Sequence, residues 1–157
     1  MAARRKLADN ELLIVRTFNA PPSVVFALWS SAEHLKQWMG PKDFACPQAI
    51  VDFRVGGSYR VLIKSASHGE NWFGGVYREI VPDKRLAFTF TWDNDGPSAG
   101  LEMLVTITFE EQDGKTQMTD SSVFQSVADR DGMLRSGMES GAAESMDRLD
   151  EYLAASR

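Results

Sequence analysis

The chain has 157 residues, a formal net charge of -5, and 43% hydrophobic and 25% charged residues. That length fits one domain of common size, whose core needs neither disulfide nor metal, and the composition excludes a disordered chain. The acidic balance weighs against nucleic acid and against an anionic membrane surface as partners, and a lone Cys46 allows no internal disulfide.

Residues 1–10 read as a mobile lead-in and residues 11–157 as a single domain. The opening Met-Ala-Ala-Arg-Arg-Lys has the basic start of a signal peptide, but Asp9, Asn10 and Glu11 stand where an apolar core is required. No run approaches the roughly 18 apolar residues of a membrane span. The cytoplasm is therefore the expected location. Glu11 to Phe18 is apolar and β-branched and predicts a first strand, which Pro21 and Pro22 stop. Pro22 suits the first turn of a short helix carrying Val25, Leu28 and Trp29. Ser30 and Glu33 fit a capping box for a second short helix, with Leu35, Trp38 and Met39 as its apolar face and Gly40-Pro41 as its end.

Strands and turns follow. Residues 48–55 predict a strand ended by Gly56-Gly57, and 58–66 alternate with Tyr59, Val61 and Ile63 on one face. The chain reverses at Ser67 to Asn71, returns over 72–81, and turns again at Pro82-Asp83. Residues 85–92 place Leu86, Phe88, Phe90 and Trp92 on one face. A polar, Gly-rich loop over 93–100 leads to a strand at 101–110 with Met103, Val105, Ile107 and Phe109 on one face. Asp113-Gly114 is a hairpin signal, and 115–124 completes the strands. From about residue 129, Leu134, Met138, Gly141, Ala142, Ser145, Leu149, Tyr152 and Leu153 recur at three and four, predicting an amphipathic helix of about 25 residues. Glu144 and Arg148 have the spacing of an ion pair on its wet face. Tight turns between successive strands imply antiparallel pairing, and a half-apolar sheet needs a cover, for which the long helix is the obvious element.

In that order of elements, local motifs become recognisable. Ala20-Pro-Pro-Ser-Val-Val-Phe-Ala-Leu-Trp29 and Trp38-Met-Gly-Pro41 resemble the first helices of the activator of heat-shock-protein-90 ATPase homologue family, within the START-like (SRPBCC, helix-grip) superfamily. Asp52 to Arg60 resembles its second hairpin, Gly75 to Pro82 with Arg85-Leu86 its next turn, and Met146 to Leu153 its C-terminal helix. The resemblance runs over about residues 11–155. It implies an α+β helix-grip (START/Bet v 1-like) fold: a curved antiparallel sheet of about six or seven strands wrapped on a long C-terminal helix, with two short helices after strand 1. The chain departs from the pattern twice. Gly141-Ala142 stands where the family usually has Gly-Trp, leaving room on the inner face of the helix, and Asp120 stands where the last strand is usually apolar.

No catalytic constellation is found. His34 and His68 lie far apart and read as surface residues, no metal-ligand spacing occurs, Cys46 reads as a buried structural thiol, and Gly56-Gly57 and Gly74-Gly75 lack the lysine of a phosphate loop. Asp52 and Arg54 share a strand face and pair either over solvent or inside the sheet's concavity. Aromatic rings on inward-alternating faces, opposite the small helix residues Gly137, Gly141, Ala142 and Ser145, point to a void that holds a ligand. Its expected lining is Trp38, Tyr59, Trp72, Phe88, Phe90, Trp92, Asp120, Ser122 and Met138. Parity places Asp120 with Met118, Ser122 and Phe124 on the inward face unless a β-bulge swings it out. The expectation is thus a binding module for a small, largely apolar or aromatic molecule, with no cofactor or metal and no nucleic-acid or membrane partner. The resemblance leaves two other classes open. One is docking on a 90-kDa heat-shock chaperone, disfavoured because no partner-binding N-terminal domain precedes the fold. The other is an enzyme of the cyclase/aromatase kind. A homodimer is left open.

Overall fold

The computed structural model describes residues 9–93 and 100–155. The 1–10 lead-in and the 93–100 loop read from the sequence fall largely outside these. The elements run β1 (Glu11–Phe18), α1 (Pro22–Ala27), α2 (Ala32–Trp38), β2 (Ala45–Val51), β3 (Ser58–Ser65), β4 (Gly69–Val81), β5 (Arg85–Asp93), β6 (Glu102–Gln112), β7 (Lys115–Phe124), α3 (Val127–Arg135) and α4 (Met138–Ala155). The strands form one antiparallel seven-stranded sheet in the order β1-β7-β6-β5-β4-β3-β2. Strands β2 to β7 are a meander, and β1 closes onto β7, so the α1-α2 pair carries the chain from one sheet edge to the other.

The turn chemistry is the one the residues dictate. Asp113 and Gly114 both have positive φ, 54° and 80°, as a tight primed hairpin turn requires. In mid-sheet, a Cβ on Gly75 would lie 2.0 Å from the Thr89 carbonyl oxygen, so only glycine lets β4 and β5 approach there. Thr89 Oγ1 accepts the Val76 N–H at 2.9 Å, satisfying a donor beside the register shift between Tyr77 and Glu79. The cap of α2 is Ser31, which accepts from the His34 N–H, rather than Ser30; the Ser30 hydroxyl instead donates to the Ala27 carbonyl as α1 ends.

The predicted 25-residue helix is two helices. Ser136 closes α3, Gly137 turns with φ +90°, and α4 starts at Met138. A left-handed residue breaks the i to i−4 ladder, and glycine adopts it without strain. The apolar spacing of Leu134 and Met138 runs unbroken across the turn, which is why periodicity alone conceals it. The C-terminal half of α4 fills the core: Ser145, Met146, Leu149 and Leu153 are buried. Arg16 on β1 donates to the Ala143 carbonyl and pairs with Asp147 at 2.7 Å, while Tyr152 and His34 hydrogen-bond at 3.0 Å. His34, read as a surface residue, thus joins α2 to α4.

Glu144 and Arg148 do not pair with each other. Arg148 Nη1 lies within 3.5 Å of the carbonyl oxygens of Met39, Gly40, Pro41 and Phe44, and Glu144 accepts the Lys42 N–H at 3.0 Å. Both side chains hold the loop between α2 and β2. Gly40 makes the clamp possible, with φ +107° and an added Cβ only 3.3 Å from Arg148 Nη1.

Candidate functional site

A cavity of about 600 Å³ lies between the concave face of the sheet and the α3–α4 junction. Its sheet wall is made of residues at every second position: Tyr59, Val61 and Ile63 on β3; Phe73 and Tyr77 on β4; Leu86, Phe88, Phe90 and Trp92 on β5; Met103 and Val105 on β6; Asp120 and Ser122 on β7. This is the pleat expressed as a pocket. The roof is Met133, Ser136, Gly137, Met138, Gly141, Ala142, Ser145 and Met146, and the 39–44 loop adds Met39, Gly40, Pro41 and Phe44. The small residues at the helix junction stand over the large rings of the sheet. Gly141 and Ala142, where a glycine–tryptophan pair was expected from the resemblance, are among them.

The walls hold one another in place. Phe73 stacks on Phe90 with centroids 4.7 Å apart and meets Trp92 edge-on at 5.3 Å. Trp29 and Trp38 meet edge-on at 4.7 Å, and Trp38 Nε1 donates to the Leu28 carbonyl at 3.0 Å. The Tyr59 hydroxyl donates to the Thr89 carbonyl at 2.7 Å. Each such ring pair adds about 0.5–1.5 kcal/mol beyond area burial, so the rings are fixed in position. Trp29 Nε1 is buried without a hydrogen-bond partner among the described residues.

Of the sequence-predicted lining residues, Trp38, Tyr59, Phe88, Phe90, Trp92, Asp120, Ser122 and Met138 stand on the cavity wall. Trp72 does not, and its place in the expected lining is corrected. It pairs with Leu62, whose neighbours Arg60 and Lys64 face outward, and it lies on the convex face beneath the Arg60 guanidinium at 4.6 Å. Phe73, one residue on, is the inward ring. Reading β4 in register with β3, with Val61 opposite Phe73, would have identified it. Phe44 and His68 were also missed. They stack at 5.5 Å, join the 39–44 loop to the β3–β4 turn, and both line the cavity. No local sequence signal links residues so far apart in the chain. Asp52 and Arg54 pair at 2.9 Å over solvent, so the alternative of a charge pair inside the concavity is set aside.

Asp120 is the site's distinctive group. No register shift occurs along β7 against either β1 or β6, so the bulge that would have turned it outward is absent. It lies between Ile14 and Ile107 of the flanking strands. The Ser122 hydroxyl donates to its Oδ1 at 3.3 Å. The residue is largely buried, and it stands on the cavity wall. Burial pushes it up from 3.8 to about 6, against a smaller opposing effect of the Ser122 hydrogen bond. Burial also raises the Tyr59 phenol well above its usual range, with Tyr77 adding to the effect, and raises Tyr77, with Asp52 adding. Both stay neutral at physiological pH. Cys46 is pushed up to about 11 by burial, with Arg148 and Lys36 only partly offsetting it, so the thiol is inert. No Lys, Arg or Glu among the described residues lines the cavity. Among the described residues no group of three metal-ligating side chains occurs, and no helix is long and apolar enough to cross a membrane.

The fold recurs in known proteins. A Nitrosomonas europaea protein superposes with a TM-score of 0.85 at 22% identity, covering 96% of this chain and 98% of that one. A Chromobacterium violaceum protein gives 0.77 at 25% identity, over 92% and 97%. The AHSA1 protein of Silicibacter pomeroyi gives 0.76 at 24%, over 94% and 99%. No curated protein matches the chain. The sequence pattern of the activator of Hsp90 ATPase homolog 1-like proteins matches residues 19–154, and the chain belongs to that helix-grip family.

Proposed function

We propose that this protein binds a small, largely apolar molecule in the cavity between the sheet and the α3–α4 junction. The observation that carries the reading is the size of the cavity set against the chemistry of its walls. The space, about 600 Å³ and open to solvent, holds water or a ligand. Ordered water needs two to four polar partners, and the polar groups on the walls, among them Asp120 with Ser122, Tyr77, His68, Asn71 and Ser145, are few beside the rings and aliphatic chains. Poorly held water is released at a gain when an apolar body enters. The fixed rings mean little ordering cost on binding.

The test uses 1-pyrenemethanol as a neutral fluorescent probe and Ala142→Trp as a plug. An indole at 142 projects from the roof into the space Ala142 now leaves. Saturable binding to the native protein is expected, with at least a ten-fold loss in Ala142→Trp and an unchanged circular dichroism spectrum. No saturable binding to the native protein, or undiminished binding to the folded variant, would contradict the reading.

A further inference from the structure

The cavity is not electrically neutral toward its occupant. Among the described residues its wall carries one carboxyl, Asp120, and no Lys or Arg. A carboxylate accepts up to about four hydrogen bonds, and Asp120 receives one, at Oδ1 from Ser122. Oδ2 has no partner among the described residues and is not sealed off, and Asp120 stands on the cavity wall. The strands on both sides present Ile14 and Ile107 there, so the described residues beside it supply no cation.

Register places the aromatic wall relative to this group. Ser122 is opposite Val105, and Val105 is opposite Phe88. The rings of β5 are therefore two strands from the carboxyl, roughly 10 Å along the sheet. An occupant that spans the cavity meets Asp120 with one end and the rings with its body.

We propose that the occupant is an amine: a polycyclic or aromatic cation whose ammonium pairs with Asp120 Oδ2 and whose rings lie against Phe88, Phe90 and Trp92. An ammonium supplies the missing donors and charge in one group, and aromatic faces tolerate a cation beside them. A carboxylate or phosphate end at Asp120 would face a like charge, the cavity's His68 standing at the β3–β4 turn at least three strands from β7, and a neutral end would leave Asp120 without a counter-charge. The proposal rests on the binding reading above and names the class of its ligand.

Three probes with one ring system and different ends decide the matter at pH 7.5: 1-pyrenemethylamine, 1-pyrenemethanol and 1-pyrenecarboxylic acid. The amine is expected to bind at least ten-fold tighter than the alcohol, with the acid weakest. Asp120→Asn should abolish the preference for the amine over the alcohol. The variant also controls for general attraction of cations to an acidic protein. If Asp120→Asn does not fold, Asp120→Val serves the same purpose. Alcohol binding with no preference for the amine, or a preference that survives in the folded variant, overturns the amine proposal and leaves the cavity reading standing. Failure of all three probes overturns both.

Discussion

A carboxyl on an apolar wall is stabilised by its proton. Asp120 holds its proton up to about pH 6 in the folded chain, against 3.8 as its ordinary value. Between those values the folded state binds more protons than the unfolded state, so stability falls as pH rises through the window. Below it the group costs nothing; above it the full cost of a buried charge is present, roughly 3 kcal/mol for a shift of this size. Asparagine keeps the shape and removes the charge. The stability of Asp120→Asn relative to the native protein should therefore improve by roughly 2 kcal/mol between pH 4.5 and pH 7.5. Urea unfolding at the two pH values measures this. A difference between the proteins that does not change with pH would show that Asp120 meets water rather than the cavity.

At the scale of elements, the decisive feature is how the roof is tied down. Arg148 gathers four carbonyl oxygens of the 39–44 loop, and Glu144 takes an amide from it. Arg148→Met keeps the stem of the side chain and leaves those carbonyls without their donor. Hydrogen bonds to charged groups contribute about 1.5–3 kcal/mol each in net terms. The variant should lose about 2–4 kcal/mol in urea unfolding, with faster hydrogen exchange confined to the 39–44 loop and the start of α4. A loss below 0.5 kcal/mol, on the order of an exposed ion pair, would mean the clamp is incidental. The same two residues show where sequence reading stops. Their i,i+4 spacing is legible, but their partners lie more than a hundred positions away, and spacing within a helix cannot distinguish a neighbour on the helix from a distant loop. Strand parity succeeded on β5 and β7, where alternation is clean and one face is plainly apolar. On β4 no alternation was read, and register against β3, where Arg60 and Lys64 flank Leu62, is what places Trp72 outward. The α3–α4 break was legible as Gly137, yet it was masked by apolar spacing that continues through the turn.

At the scale of the molecule, the sheet order explains why a cavity exists at all. A seven-stranded sheet presents more concave surface than the apolar face of α4 can cover. Leu149 and Leu153 fill one end, while the glycine turn and small residues at the other leave space over β4 to β7. The void thus follows from the identity of a few roof residues on a common fold, and relatives with a larger side chain at the position of Ala142 would have less of it. The central claim is that this space is a binding site, and a crystal structure of the protein with 1-pyrenemethanol tests it most directly. The account predicts the ring system against Phe88, Phe90 and Trp92 beneath Ala142, with the walls in their present rotamers. A cavity closed by inward-turned Met133 and Met138, with the probe absent or on the outer surface, would contradict it.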